Sequence, residues 1–230
     1  MLKENLLSVK NKIETACKKA GRNVDEITLI AVSKTKPLSD IEELITYGTM
    51  EFGENKVQEL VDKYENVSTP VNWHLIGHLQ TNKVKYIVDK ACLIHSVDSL
   101  KLAKEIEKEA VKKNVIANIL VQVNVANEDS KFGLESGEVF DLVESISKLS
   151  NIKIKGLMTI APFVENPEEN RGYFRQLKQL SLDIKSKNID NVDMSILSMG
   201  MTNDYEVAIE EGATMVRVGT GIFGERNYNL

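Results

Sequence analysis

The stretch ITLIAVSKTKP, residues 27–37, begins with an apolar run rich in β-branched side chains and ends at a proline. A run of this length and composition predicts a strand buried on both faces, as in a parallel sheet covered by helices. Lys34 then lies at the carboxyl end of the strand, where barrels and open α/β sheets place their active sites. The stretch therefore predicts both the fold class and one candidate functional residue.

Lys34 itself admits two interpretations. Lysines are mostly exposed, so a solvated side chain just beyond a strand end is the commoner situation. A lysine amine in an active site can instead form a Schiff base with an aldehyde such as pyridoxal phosphate. The stretch alone leaves both interpretations open.

The alternation of apolar runs and helical patterns continues along the whole chain. An amphipathic stripe predicts a helix before the first strand, and this stripe comprises Leu2, Leu6, Val9, Ile13, Cys17 and Ala20. Seven more apolar runs predict strands at 50–53, 73–77, 92–95, 117–125, 152–158, 193–198 and 213–218. Between the strands, Ser39 to Glu42 is typical of a capping box that opens a helix, and Thr202 is placed to cap a later one.

Eight strand–helix units follow one another without a linker or a shift in composition. Eight repeats favour a closed barrel over an open doubly wound sheet. We therefore expect an α/β protein with a single (β/α)8 TIM barrel domain over residues 1–230 and an extra N-terminal helix.

Composition excludes several classes of function. The net charge is −5, with basic and acidic residues interspersed, so no basic surface for nucleic acid is expected. No window approaches the roughly 18 apolar residues of a membrane span, and the N-terminus has no signal-peptide pattern. Cys17 and Cys92 have no CxxC spacing and are interpreted as packing residues, and the three histidines have no metal-ligand spacing. We expect a cytoplasmic protein with no metal site, no membrane and no nucleic-acid partner.

The loops after the last two predicted strands are the second candidate site. Ser198–Thr202 and Arg217–Gly221 combine glycines with hydroxyl side chains, and TIM barrels often bind phosphate with these two loops. Ordinary turn chemistry explains the same composition equally well. Arg217 can hold a phosphate, face a pyridine nitrogen or form a salt bridge with Glu54. Further polar residues follow other strands, namely Asn55, His78, Gln80, Asn82 and Lys131.

These residues form part of longer motifs that resemble those of the pyridoxal phosphate homeostasis proteins. The matching segments are AVSKTKP at 31–37, FGENKVQE at 52–59, WHLIGHLQTNK at 73–83, VNVANEDSKFG at 123–133, GLM at 156–158 and SMGMTNDYEVAIEEGATMVRVGTGIFGER at 198–226. They extend over nearly the whole chain in the family's order. The one departure is mild: Thr202-Asn203 replaces a commoner serine.

The resemblance implies a barrel of the alanine racemase type and a role for each matching residue. Lys34 would carry pyridoxal 5′-phosphate as a Schiff base, and Arg217 would face the pyridine nitrogen. The phosphate would be held by Ser198, Gly200, Gly219 and Thr220, and Asn55 and Met201 would complete the cofactor pocket. The family is regarded as binding and buffering the cofactor, without an established enzyme reaction.

Three functions remain after this comparison of motifs. The leading hypothesis is a carrier that buffers the cofactor and delivers it to apo-enzymes, acting as a monomer. The alternative is a slow pyridoxal phosphate-dependent amino-acid racemase, although racemases of this type use a second base from an added C-terminal domain, and the sequence shows no such domain after strand 8. The third is a barrel that binds another phosphorylated metabolite.

Overall fold

The protein forms a closed parallel barrel, as the eight strand–helix repeats predict. A computed structural model describes residues 1–126 and 132–225. The strands are β1 (Thr28–Val32), β2 (Glu51–Glu54), β3 (Asn72–Leu75), β4 (Ala91–Val97), β5 (Ala117–Gln122), β6 (Ile152–Met158), β7 (Val192–Met201) and β8 (Met215–Val218). Each pairs in parallel with its neighbours in chain order, and β1 pairs with β8, with Ile30 opposite Arg217. The expected TIM barrel is confirmed.

The helices cover the outer face of the barrel. They are α1 (Leu2–Lys19), α2 (Leu38–Thr46), α3 (Val57–Asn66), α4 (Val84–Ile87), α5 (Leu100–Lys113), α6 (Val139–Ser147), α7 (Arg171–Ser186), α8 (Tyr205–Glu210) and α9 (Thr220–Phe223). The extra N-terminal helix α1 packs against α2, α8 and α9. Within the described ranges, no helix is both long and apolar enough to span a membrane.

The apolar core has two parts because strand side chains alternate between the two faces of the sheet. Helix-facing residues such as Phe52, Trp73 and Phe174 are almost fully buried between the sheet and the helices. Leu93, Leu120 and Met158 form a separate cluster that packs against the half-buried side chains of Cys92, Ile160, Ile196 and Met215. The sheet is thus covered on both faces, which explains why its strands read as continuous apolar runs.

Two predicted helix caps are wrong. The second helix begins at Leu38, directly after Pro37, and no side chain caps it, so Ser39 lies inside the helix and forms no capping box. The helix expected to begin at Thr202 begins at Tyr205 instead, because Met201 N donates to Asp204 Oδ1 and the chain turns once more before the helix. Thr202 Oγ1 is left to accept hydrogen bonds from the loop after β8, namely from Gly219 N and Gly221 N.

Candidate functional site

A cavity of about 810 Å³ lies at the carboxyl ends of the barrel strands. Its volume falls within the roughly 300–1,000 Å³ that is usual for small-molecule sites. Six of the predicted cofactor-binding residues line it: Lys34, Asn55, Met201, Arg217, Gly219 and Thr220. The barrel therefore brings together side chains from the loops after β1, β2, β7 and β8.

Lys34 lies in a tight turn just beyond β1 and is partly buried. The next residue, Thr35, has a left-handed backbone with φ of 63°, which is uncommon for a residue with a side chain. Its N–H donates to Glu59 Oε1 at 2.5 Å, and Lys36 N donates to Ser33 O at 3.0 Å. These bonds fix the backbone on both sides of Lys34 and so fix where its side chain starts.

A buried ion network lies directly beneath this turn. Lys63 Nζ, on α3, donates to Ser33 O, Glu54 Oε1 and Glu59 Oε1, each at 2.7 Å. Ser33 Oγ donates to Glu54 Oε1 at 2.6 Å. Burial raises the pKa of Glu54, and the bonds from Lys63 and Ser33 oppose this shift. The sequence did not single out Lys63, because a lysine on an amphipathic helix is expected in solvent.

Arg217 is buried at the inner end of the cavity. Its guanidinium donates to Ser198 Oγ at 2.5 Å and to Thr159 O at 2.8 Å. Arg217 forms no salt bridge with Glu54, whose Oε1 instead pairs with Lys63 Nζ at 2.7 Å. Burial lowers the pKa of Arg217 to about 10, although Asp204 acts to raise it. The side chain therefore remains a cation at neutral pH, in a cavity wall that also contains Lys34, Lys36 and Asp204.

Ser198 and Gly200 are the two predicted residues that do not line the cavity. The Ser198 hydroxyl is buried between Arg217 and His95, whose Nδ1 lies 2.9 Å from it. Gly200 has φ of 90°, and a Cβ there would meet Ala208 Cβ of α8 at 2.6 Å. Ser198 thus positions Arg217, and Gly200 allows α8 to pack closely against β7.

The loops after β7 and β8 are joined by Thr202, whose hydroxyl oxygen lies 3.3 Å from Gly219 N and 3.4 Å from Gly221 N. Thr202, Gly219 and Thr220 all line the cavity. A Cβ on Gly219 would meet nothing closer than Val32 Cβ at 3.5 Å, so the backbone there is open to a ligand. Hydroxyl and backbone donors in this position suit an anion.

Aromatic and polar side chains form the opposite wall. His78 stacks on Phe132, with ring centroids 4.0 Å apart, and Gln122 Nε2 donates to Phe132 O at 3.1 Å. All three line the cavity, whereas Gln80 and Asn82, which follow the same strand as His78, do not. Lys131 lies outside the described residues. Phe163 reaches this rim with 90% of its surface exposed, so the cavity has an apolar margin.

Comparisons with known proteins identify the family. The sequence model of the family described as alanine racemase, N-terminal domain, matches residues 5–227. The chain belongs to this family. Within it, the pyridoxal phosphate homeostasis protein of Aquifex aeolicus is 47% identical over 98% of both chains. The protein of the same name from Escherichia coli K12 is 38% identical over 98% of this chain and 97% of its own. The resemblance drawn from the motifs is confirmed.

Solved structures within the family share the barrel. PipY of Synechococcus elongatus with PLP bound has a TM-score of 0.85 at 31% identity, covering 97% of this chain and 100% of PipY. PipY without PLP has a TM-score of 0.87 at 33% identity. An alanine racemase from Clostridium difficile has a TM-score of 0.73 at 15% identity and covers 99% of this chain but 57% of its own, which is a likeness of fold.

Proposed function

We propose that this protein binds pyridoxal 5′-phosphate in the barrel-mouth cavity, buffers it and delivers it to apo-enzymes. The observation that supports this most directly is that Lys34 lines the same cavity as Arg217, Thr202, Gly219 and Thr220. Full-length relatives named pyridoxal phosphate homeostasis protein, and a related structure with PLP bound, support the same ligand.

The residues present fit this cofactor. Lys34 is the amine that would hold the aldehyde as a Schiff base, a reversible linkage that shields a reactive carbonyl from other amines. The backbone around it is immobilised by Lys63 and Glu59, so the amine is presented from a fixed turn. Asn55 and Met201 lie beside it in the cavity wall.

The phosphate would be held by the joined loops after β7 and β8. Thr202 and Thr220 offer hydroxyl donors, and Gly219, whose N–H donates to Thr202 Oγ1, leaves room for the phosphate because it has no side chain. Ser198 and Gly200 would act indirectly, by setting the path of the β7 backbone that leads to Thr202. The Ser198 hydroxyl itself is already hydrogen-bonded to Arg217 and His95. Charge-assisted hydrogen bonds of this kind contribute about 1.5–3 kcal/mol each.

Arg217 supports a carrier over an enzyme. Its guanidinium is a buried cation tied to Ser198 and Thr159, so it cannot swing away from the cavity floor without losing both bonds. A pyridine nitrogen placed against this cation is disfavoured from taking a proton, which weakens the ring as an electron sink. The residues around the cavity would therefore bind and orient the cofactor more effectively than they would promote turnover.

Borohydride reduction followed by peptide mass mapping tests the attachment. We expect the purified protein to absorb in the visible range and the label to appear on the Lys34 peptide. Lys34→Ala should abolish labelling. Lys36→Ala is the control and should retain labelling, because the Lys36 amine also lines the cavity but is hydrogen-bonded to Phe223 O at 3.2 Å. Label on Lys36 or Lys131 with Lys34 unmodified would contradict the assignment.

A second arm of the experiment separates carrier from enzyme. Loaded protein is mixed with a pyridoxal phosphate-dependent apo-enzyme, and activation is compared with that given by Lys34→Ala. The same loaded protein is incubated with L- and D-amino acids, and racemised, transaminated and decarboxylated products are measured. Activation with no sustained turnover supports delivery. Turnover near the usual enzyme range of roughly 1–10³ per second, lost in Lys34→Ala, would favour the racemase instead.

A further inference from the structure

A second polar cluster lies away from the cavity, on three adjacent barrel strands. Glu51 is the first residue of β2, His74 lies in β3, and Cys92 is near the start of β4. The three donor atoms, one from each side chain, all lie within 4.8 Å of one another. None of these residues lines the cavity at the barrel mouth.

The spacing of the donors suits a tetrahedral metal ion. With zinc bonds of about 2.0–2.1 Å to nitrogen and about 2.3 Å to sulfur, the N···S edge of a tetrahedron is about 3.6 Å. Cys92 Sγ lies 3.5 Å from His74 Nε2, which matches that edge. Glu51 Oε2 lies 2.7 Å from the same nitrogen, as a hydrogen bond. Two ligand atoms of one tetrahedral metal lie farther apart than this, so Glu51 Oε2 must move away from His74 Nε2 by about 0.6 Å. The partly exposed Glu51 side chain can make this movement.

The atoms that would not touch the metal are already held. His74 Nδ1 lies 3.0 Å from His95 Nε2, and Glu51 Oε1 accepts a bond of 2.7 Å from Asn72 Nδ2. Such outer partners fix the ring orientation and the carboxylate of a metal site and strengthen its ligands. The cluster therefore has the support that a chance grouping of three polar side chains would lack.

The cluster is also accessible. The Glu51 side chain is 28% exposed and Cys92 is partly exposed, while His74 is 2% exposed beneath them. A cation can thus enter from solvent and keep a water molecule as its fourth ligand. Sulfur and imidazole donors select zinc over magnesium or calcium, which prefer oxygen ligands.

We propose that Glu51, His74 and Cys92 form a Zn²⁺ site. Binding forms a bond between the metal and the Cys92 sulfur as the thiol proton leaves to solvent. The metal takes the place of the proton that His74 Nε2 donates to Glu51. His74 and His95 each change to the neutral tautomer with the proton on Nδ1, so that His74 Nδ1 donates to His95 Nε2 and His95 Nδ1 donates to Ser198 Oγ. Each ligand lies on its own strand, so the sequence has no ligand spacing that could have revealed the site.

Cobalt titration tests the proposal, because a thiolate bound to Co²⁺ gives an intense near-ultraviolet charge-transfer band. Untagged protein is freed of metal with a chelator and titrated with Co²⁺, with and without pyridoxal phosphate, and then with Zn²⁺. We expect one equivalent of the band, displaced by Zn²⁺. Cys92→Ala should remove the band, and Glu51→Gln should weaken binding at least about 10-fold.

Cys17→Ala is the matched control, because Cys17 is a buried free thiol on α1 and belongs to no group of potential metal ligands among the described residues. It should leave the band and the affinity unchanged. Glu51→Gln alters a partly exposed residue, so its circular dichroism and unfolding temperature should match the parent protein. Absence of the band in the parent protein would overturn the proposal. So would a metal affinity in Glu51→Gln and Cys92→Ala that equals the affinity of the parent protein.

Discussion

Lys63 has a larger role than its place on a surface helix indicates. Its side chain is 7% exposed, and its ammonium group joins the backbone of β1 to carboxylates on β2 and α3. Those acceptors hold the turn in which Thr35 has its left-handed backbone. The position of Lys34 therefore depends on a buried cation two elements away.

Lys63→Met should destabilise the protein by about 3–5 kcal/mol, because it leaves the buried Glu54 without its charged partner. Urea denaturation measures this loss, and absorbance titration should show weaker binding of pyridoxal phosphate. Adding Glu54→Gln should restore part of the stability, since the remaining carboxylate partner of Lys63, Glu59, is 23% exposed and can be solvated.

Lys101→Met is a suitable control for this substitution, because Lys101 is an exposed lysine on α5. Its effect on the free energy of unfolding should stay within about 0.5 kcal/mol. Equal urea midpoints for Lys63→Met and the parent protein would contradict the role that we assign to Lys63.

At the scale of elements, α8 is held in place by charges from two neighbouring helices. Arg171, the first residue of α7, donates to Glu210 at 2.7 Å and to Glu211 at 2.8 Å, and Lys19 of α1 lies 2.7 Å from Glu210. Glu210 ends α8 and Glu211 follows it. Since α8 lies between β7 and β8, this network fixes the segment that connects the two cavity loops.

Acid should weaken this network. The pKa of Glu211 is lowered, chiefly by the hydrogen bond from Arg175 and further by the one from Arg171. Burial acts in the opposite direction but does not cancel these two effects. A lowered folded-state pKa contributes stability that is present above the unfolded value of about 4.3 and is lost as pH falls through the folded value. Arg171→Gln should therefore lower the free energy of unfolding by about 1–2 kcal/mol at pH 7, and by progressively less below a pH of about 4.

Urea denaturation at several pH values measures this difference. Lys155→Gln is the control, because Lys155 and Asp193 form an exposed pair, with side chains 32% and 50% exposed. Its effect should stay below about 1 kcal/mol at every pH. A cost of Arg171→Gln that is the same at acid and neutral pH would exclude the electrostatic explanation.

At the scale of the whole molecule, the cavity is lined by residues that follow the first and the last strands of the barrel sheet. Lys34 follows β1 and Gly219 follows β8, and these two strands close the barrel by pairing with each other. A ligand that binds only the native state raises the unfolding temperature according to its affinity. Cofactor binding should therefore stabilise the closed barrel as a unit.

Pyridoxal 5′-phosphate should raise the unfolding temperature more than pyridoxal at equal concentration, because only the phosphate form can use the phosphate site that we propose in the Thr202 and Gly219 loops. Differential scanning calorimetry measures both shifts. Gly219→Val should reduce the shift given by the phosphate form while leaving the ligand-free protein stable, since its Cβ meets no atom closer than 3.5 Å. Equal shifts for the two vitamers would argue against a phosphate site in these loops.

The strands were predictable because burial on both faces leaves continuous apolar runs in the sequence. The caps at Ser39 and Thr202 were wrong where Pro37 and Asp204 set the local turn instead. Contacts between separate elements could not be predicted, because no local sequence pattern encodes them. Two examples are the ion pair of Lys63 with Glu54 and the hydrogen bond of His95 with Ser198.

The pairing of β1 with β8 also sets when the site can exist. Lys34 follows β1, whereas the neighbouring strand β8 and the loop after it are translated much later. Chains emerge from the ribosome N-terminal end first, so Lys34 leaves the ribosome well before this part of the cavity wall has been made. A nascent chain that has not reached β8 therefore has Lys34 but an incomplete cavity around it. The proposed cofactor site can form only after β8 and the loop that follows it have been synthesised.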